Sequence, residues 1–185
     1  MDGLRLERRD AAGLEDIRPQ LLDVYAEVYA DRLGDEFHSV ARFDERLGWN
    51  TEVPGFAAVV AYMDTIPVGY AYGCTLQEGT RWWRGLRTPV ADGATVETGA
   101  RTFALSELMV VEKVRGTGAA HEIHDELLRG RSEERVTLLV ERDHPRVRAL
   151  YEAWGYECFG EVLPFEDAPL YDAMMLTLGA NRGYW

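Results

Sequence analysis

The sequence has no apolar run approaching the ~20 residues that a membrane-spanning helix needs. Its amino-terminal stretch, MDGLRLERRDAAGLED, lacks the basic head and apolar core of a secretory signal. A cytoplasmic location without membrane attachment is the expectation. Cysteine is scarce: Cys74 and Cys158 lie far apart, in apolar surroundings, and match no metal-ligand or redox spacing. Buried thiols are expected rather than a bridge or a structural zinc. Positive charge is also short, with 20 Lys and Arg against 32 Asp and Glu and a formal net charge of -12. That balance argues against a nucleic-acid backbone as partner and suits a cationic one. Internal repeats, low-complexity segments and domain boundaries are all missing, so 185 residues with 46% hydrophobic content read as a single domain, 1–185.

What is present alternates between two periods. GLRLERR reads as an opening strand, and the segment from Ala11 to Leu33 carries Leu21, Leu22, Val24, Tyr25, Val28 and Tyr29 at helical spacing, with Pro19 marking a first turn or a kink. EFHSVARFDERLGW predicts a second helix. GFAAVVAYMD and TIPVGYAYGCTL predict a β-hairpin. Residues 79–101, rich in glycine and holding Trp82 and Trp83, read as a long loop insertion. Then TFALSELMVV, a turn, a helix and RVTLLVE form a strand–helix–parallel strand unit. HPRVRALYEAW reads as a further helix, and GYECFGEV and YDAMMLTL as two closing strands.

The turn VRGTGAAHEIHDELL holds the chemistry. Arg115, Gly116, Thr117, Gly118, Ala119 and Ala120 open a helix whose unpaired N–H groups and positive dipole end suit an anion. The plainer reading is that the glycines only shape a turn. A Walker loop is excluded, because no Lys-Ser or Lys-Thr follows. A dinucleotide fingerprint starts at Gly116 and Gly118, and Glu141 falls near the position of a ribose-binding acid, but the third small position is His121. HEIHD places His121 and His124 three apart, not four, with Asp125 where a zincin helix has its second histidine, so no metal is expected and the histidines read as solvated or capping.

Arg115-x-x-Gly118-x-Ala120 resembles the acyl-coenzyme A signature of the GNAT superfamily of N-acetyltransferases, and ELMVVEKVRGTGAA is similar to that family's fourth strand and pyrophosphate loop. LLVERDHPRVRALYEAWGYECFGE resembles its fifth strand, fourth helix and sixth strand. The match covers residues 102–162. It departs from the family at His144, where Asn is usual, and at Glu112, where proline is common.

The resemblance implies an α/β (α+β) GNAT-like fold: a central mixed, mostly antiparallel twisted sheet of six to seven strands flanked by about four helices. It implies an acetyl-coenzyme A-dependent transferase that acetylates a primary amine of a small molecule or protein by direct attack in a ternary complex. Leu108, Met109 and Val110 would offer backbone groups to the pantetheine arm, with the Val110 N–H as oxyanion donor, and residues 115–120 would hold the pyrophosphate. His144 would take over one cofactor hydrogen bond. Tyr151 falls on the family's tyrosine, the acid for the leaving thiolate. Glu107, near the centre of the fourth strand, is the candidate base, acting directly or through water, or else a solvated or salt-bridged strand residue.

Phe37, His38, Tyr70, Tyr72 and Tyr171 are candidates for the acceptor pocket or the core. Trp82 and Trp83 would cover the acceptor, stack on a cation, build a satellite core or meet a second copy in a homodimer. A non-catalytic acyl-coenzyme A-binding module is the alternative, and a nucleotide-dependent oxidoreductase is disfavoured by His121 and by the order of elements.

Overall fold

The computed structural model describes residues 3–179. Its strands follow the order β1-β2-β3-β4-β5-β7-β6 in one mixed seven-stranded sheet, and five α-helices accompany them. The described residues form two compact units, 3–74 with 105–131 and 75–104 with 132–179; β4 contributes to both. No helix among the described residues is long and apolar enough to cross a membrane.

The first unit holds β1 (Leu4–Arg9), β2 (Ala57–Met63), most of β3 (Ile66–Thr75) and the second half of β4 (Thr102–Val110). β1 pairs antiparallel with β2, and β2 with β3. The expected hairpin turns at Asp64, which adopts φ 56, and Pro67 falls inside β3.

The long first helix expected from the sequence is two helices, α1 (Ala11–Glu15) and α2 (Arg18–Val28). Pro19 explains the break, since its ring would clash with the carbonyl four residues back in a continuous helix and it has no N–H to donate. α2 buries Leu21, Val24 and Tyr25. The next helix opens with a 3-10 turn at Glu36–His38, after which Ser39 caps α3 (Val40–Thr51) by accepting from the Arg42 N–H at 3.2 Å. Phe43 and Leu47 form its fully buried face. α4 (Ala119–Leu128) packs on β1 and β2 through Ile123, Leu127 and Leu128, and His124 is buried with them at 4% side-chain exposure. Its position beside Ile123 and three residues before Leu127 puts it on the apolar face, so it is not the solvated residue expected.

The second unit holds the start of β4, β5 (Arg135–Glu141), α5 (Pro145–Ala153), β6 (Glu157–Val162) and β7 (Tyr171–Thr177). Thr102–Ala104 pair in parallel with Arg135–Thr137; β7 runs antiparallel to both β5 and β6. The 79–101 loop carries a small core of its own. Trp83 lies 5.1 Å from Phe159 between ring centroids, in a cluster with Leu76, Ala104, Val162 and Ala173 against which Trp82 also packs. Of the roles open to the tryptophans, the satellite core is the one observed.

The loop also lies along β6. The Arg87 N–H donates to the Glu161 carbonyl at 2.8 Å, the Leu163 N–H to the Gly85 carbonyl at 3.1 Å, and the Glu161 N–H to Thr88 Oγ1 at 2.9 Å. An edge strand thereby gains partners for groups that would otherwise invite another chain. One ion pair anchors the arrangement: Arg135 reaches Glu97 Oε1 at 3.0 Å, the Trp83 indole donates to the same oxygen at 3.0 Å, and the Glu97 side chain is fully buried. Cys74 is buried as expected, but Cys158 is exposed, because it lies near the start of the terminal strand β6, ahead of the stretch covered by the loop.

Candidate active site

In the first unit the site is built from β4, the turn after it and the start of α4. β4 ends at Val110; Glu112–Val114 form a 3-10 turn, and Gly118 is the N-cap of α4. Gly116 (φ 73) and Gly118 (φ 93) are both left-handed, a conformation that side chains disfavour, and a Cβ on either would meet nothing within 4 Å. Backbone conformation, not crowding, is what requires glycine here. Thr117 Oγ1 donates to the Val114 carbonyl at 2.6 Å and fixes the turn from within. The N–H groups of Gly116, Thr117, Gly118 and Ala120 meet no protein acceptor among the described residues. Residues 115–118 are exposed, so the turn presents several donors and one guanidinium to solvent. An anion of phosphate size fits that chemistry.

Glu107 lies upstream on β4, and it is neither solvated nor alone. Its side chain is 20% exposed, and Arg46 of α3 comes within 4.0 Å of its Oε1. Arg46 is itself held: its Nη1 donates to the Phe37 carbonyl at 2.8 Å, and its guanidinium lies 4.3 Å from the centre of the Phe37 ring. Around this pair stand Tyr25, Tyr70 and Tyr72. Burial, then the Glu107 charge, pushes the Tyr25 phenol up to about 12; its hydroxyl donates to the His38 carbonyl at 3.1 Å. Burial also raises Tyr70 and Tyr72 well above the ordinary range. These phenols stay neutral at physiological pH.

Adjacent residues of a regular strand point to opposite faces, yet Ser106 and Glu107 both reach α3. Ser106 Oγ donates to Asn50 Oδ1 at 2.6 Å, one helical turn beyond Arg46, and Asn50 Nδ2 donates to the Arg46 carbonyl at 2.9 Å. Two residues further on, Gly69 of β3 lets β4 come close: a Cβ there would stand 2.7 Å from the Met109 carbonyl oxygen and 2.7 Å from Val110 Cγ1. Met109 is buried, Leu108 and Val110 half-buried.

In the second unit, His144 precedes α5 with its ring 49% exposed and its Nε2 3.4 Å from Glu141 Oε2. Tyr151 is buried inside α5, edge-on to Trp154 at 5.3 Å and to Tyr156 at 5.5 Å between centroids.

Of the acceptor candidates, Tyr70 and Tyr72 are core residues, at about 1% exposure, with the Tyr70 hydroxyl donating to the Leu21 carbonyl at 3.2 Å. Phe37 and His38 are buried beside the Glu107 pair, and Tyr171 begins β7, half-buried. Sequence reasoning missed Arg46, Asn50 and Gly69. Arg46 and Asn50 lie three and seven residues after the buried Phe43, so they share its face of α3; a charged and an amide residue on an apolar face was a signal for them.

The structure matches solved structures over nearly its full length. An acetyltransferase from Thermus thermophilus shares 18% identity with TM-score 0.63, covering 95% of this chain and 97% of the other. A putative GNAT-family acetyltransferase from Desulfovibrio desulfuricans shares 16%, with TM-score 0.61 and coverage of 94% and 98%. The fold is that of the GNAT acetyltransferases. A third GNAT-fold match, the PaiA N-acetyltransferase from Thermoplasma acidophilum in complex with coenzyme A, shares 11% identity with TM-score 0.58 and coverage of 95% and 99%. No protein-family model and no curated protein matches the sequence. The expected architecture is therefore observed, with seven strands and five helices rather than four, the extra helix coming from the break before Pro19.

Proposed function

We propose that the protein is an acetyl-coenzyme A-dependent N-acetyltransferase acting on a primary amine. The observation that carries the reading is the glycine turn: on a GNAT fold, the left-handed Gly116 and Gly118 leave a row of N–H donors at the start of α4 without protein acceptors among the described residues. Arg115 and the backbone of Gly116, Thr117, Gly118, Ala119 and Ala120 would hold the pyrophosphate. Leu108, Met109 and Val110 would offer strand groups to the pantetheine arm, and His144 would stand in for the family's usual Asn. Among the described residues β4 pairs with β5 at Thr102–Ala104, so these later β4 residues are not part of that ladder. When bound, acetyl-coenzyme A supplies an acyl thioester and a good leaving thiolate.

The residues have separate tasks. An alkylammonium of pKa about 10.4 must lose a proton before attack, which costs roughly 4 to 5 kcal/mol at neutral pH. Glu107 takes that proton, directly or through water, and Arg46 at 4.0 Å holds its carboxylate in position. The Val110 N–H stabilises the charge that develops on the carbonyl oxygen. Tyr151 returns a proton to the departing sulfur. The acceptor is an amine, and the acidic balance of the chain favours one that arrives as a cation.

A thermal-shift comparison of acetyl-coenzyme A with NAD, followed by thiol release across an amine panel, tests the reading. Stabilisation by acetyl-coenzyme A and turnover with at least one amine support it. Stabilisation by NAD alone would overturn it. Binding with no turnover on any amine would replace it with a non-catalytic acyl-coenzyme A-binding module.

A further inference from the structure

α4 carries a second group of chemically active side chains, apart from those assigned to acetyl transfer. Helical spacing brings residues three and four apart together, so His121 meets both His124 and Asp125. One ligand atom from each of the three lies within 4.8 Å of the others. His121 Nε2 is 3.5 Å from Asp125 Oδ1, and His124 Nδ1 is 3.1 Å from the same oxygen. Around a tetrahedral ion with bonds of about 2.0–2.2 Å, neighbouring ligand atoms stand roughly 3.3–3.6 Å apart. Both contacts to Asp125 are within a few tenths of an ångström of that edge, and the two histidines offer nitrogens within 4.8 Å of each other.

Burial divides the work between the ligands. His124 is 4% exposed, its ring held in the face that also buries Ile123 and Leu127. His121 is 51% exposed and Asp125 34%, which opens the cluster to solvent on one side and gives an ion both an entry path and a water ligand. Two imidazoles and one carboxylate suit zinc and its neighbours rather than magnesium or calcium, which favour oxygen. HEIHD departs from the zincin spacing because Asp125 takes the place of a second histidine. In three dimensions that substitution keeps a ligand at the same position, since a carboxylate binds zinc as imidazole does.

We propose that His121, His124 and Asp125 form a three-ligand site for a divalent transition metal of the zinc class, clipping the first two turns of α4 behind the glycine turn. A second cluster, Glu141, Asp143 and His144, has only one nitrogen ligand, and it serves as the internal control.

The test uses the full, tag-free chain, stripped with chelator and titrated with Zn²⁺ by calorimetry and with Co²⁺ by visible absorption. One saturable Zn²⁺ per chain, a raised melting temperature and the visible bands of tetrahedral cobalt are expected. His121→Ala alters an exposed side chain and should fold normally. It should weaken binding by more than the roughly 10- to 100-fold that loss of an outer-shell partner costs. Asp125→Ala should do the same, while His144→Ala should leave the affinity unchanged. Absence of saturable uptake would overturn the proposal and leave the histidine–aspartate contacts as ordinary hydrogen bonds. So would binding that survives His121→Ala or disappears in His144→Ala. Because the readout is metal uptake, the result stands whether or not the chain acetylates an amine.

Discussion

Replacing Gly69, which itself carries no proposed chemistry, by alanine presses on β4 at Met109 and Val110. The added Cβ would stand 2.7 Å from the Met109 carbonyl oxygen, 2.7 Å from Val110 Cγ1 and 3.1 Å from Val110 Cα. Comfortable contact is about 3.5 Å, so roughly 0.8 Å of separation must be found. The Val110 side chain can rotate away, but the Met109 carbonyl and Val110 Cα are backbone, and they move only if β4 moves. Overpacking of this kind costs typically about 1–3 kcal/mol. At about 2–4 °C per kcal/mol for a chain of this size, the melting temperature should fall by roughly 2–12 °C. A displacement approaching 1 Å at the strand that carries the proposed oxyanion donor should lower kcat by up to about 100-fold. Acetyl-coenzyme A affinity, which the proposal assigns largely to the glycine turn, should change much less. The assays are urea denaturation and thiol release, with Val110→Ala added as a partner: relieving only the side-chain clash, it should restore part of the stability and little of the rate. Unchanged stability and unchanged kcat in Gly69→Ala would refute the close approach of β3 and β4 and the placing of the oxyanion donor on it.

Further outcomes follow from other parts of the structure. Gly118→Ala meets no steric obstacle but forces φ 93 on an alanine; the cost is about 1–2 kcal/mol, and coenzyme A affinity measured by calorimetry should fall while kcat at saturation is retained. Tyr151→Phe should lower kcat more than it changes KM for acetyl-coenzyme A, and an unchanged kcat removes Tyr151 as the acid. Glu97→Gln leaves Arg135 facing a neutral partner in a fully buried position; loss of such a pair costs about 3–5 kcal/mol, read as a lower urea midpoint together with a shift in tryptophan emission from Trp83. In alkali, burial raises the Cys74 thiol from 9.0 to about 11 and the Tyr25 phenol from 10.0 to about 12. The folded state holds these protons more tightly than the unfolded one. Their contribution is therefore complete below pH 9, declines from pH 9 to 11 for Cys74 and from pH 10 to 12 for Tyr25, and is gone above. Cys74→Ala should flatten the first part of that decline in pH-dependent denaturation.

The candidate base illustrates how far a sequence carries. Glu107 was legible as a carboxylate on a central strand, but its two readings, free base or paired strand residue, looked alike in one dimension. In the folded chain the carboxylate is paired with Arg46 and stands among buried phenols. The tryptophan pair is a similar case. Two adjacent indoles in a glycine-rich loop were compatible with a cover over the acceptor, a cation platform, a dimer contact or a core, and the packing onto Phe159 and Val162 comes from a strand far along the chain.

The sequence by itself determined what is local. Apolar spacing set the strands and helices, Pro19 allowed a break, and the order strand, glycine turn, helix, strand, helix, strand marked residues 102–162. Such features depend on contacts within a few residues and on φ angles that only particular side chains tolerate, so they can be read along the chain. Tertiary structure decided what needs two distant segments at once. It brought Arg46 to Glu107, Asn50 to Ser106, Gly69 under Met109 and Glu97 to Arg135. It also decided that His124 is buried and Cys158 exposed. The reason is physical: burial and pairing are settled by which surfaces exclude water from each other, and a residue's neighbours in sequence do not specify that.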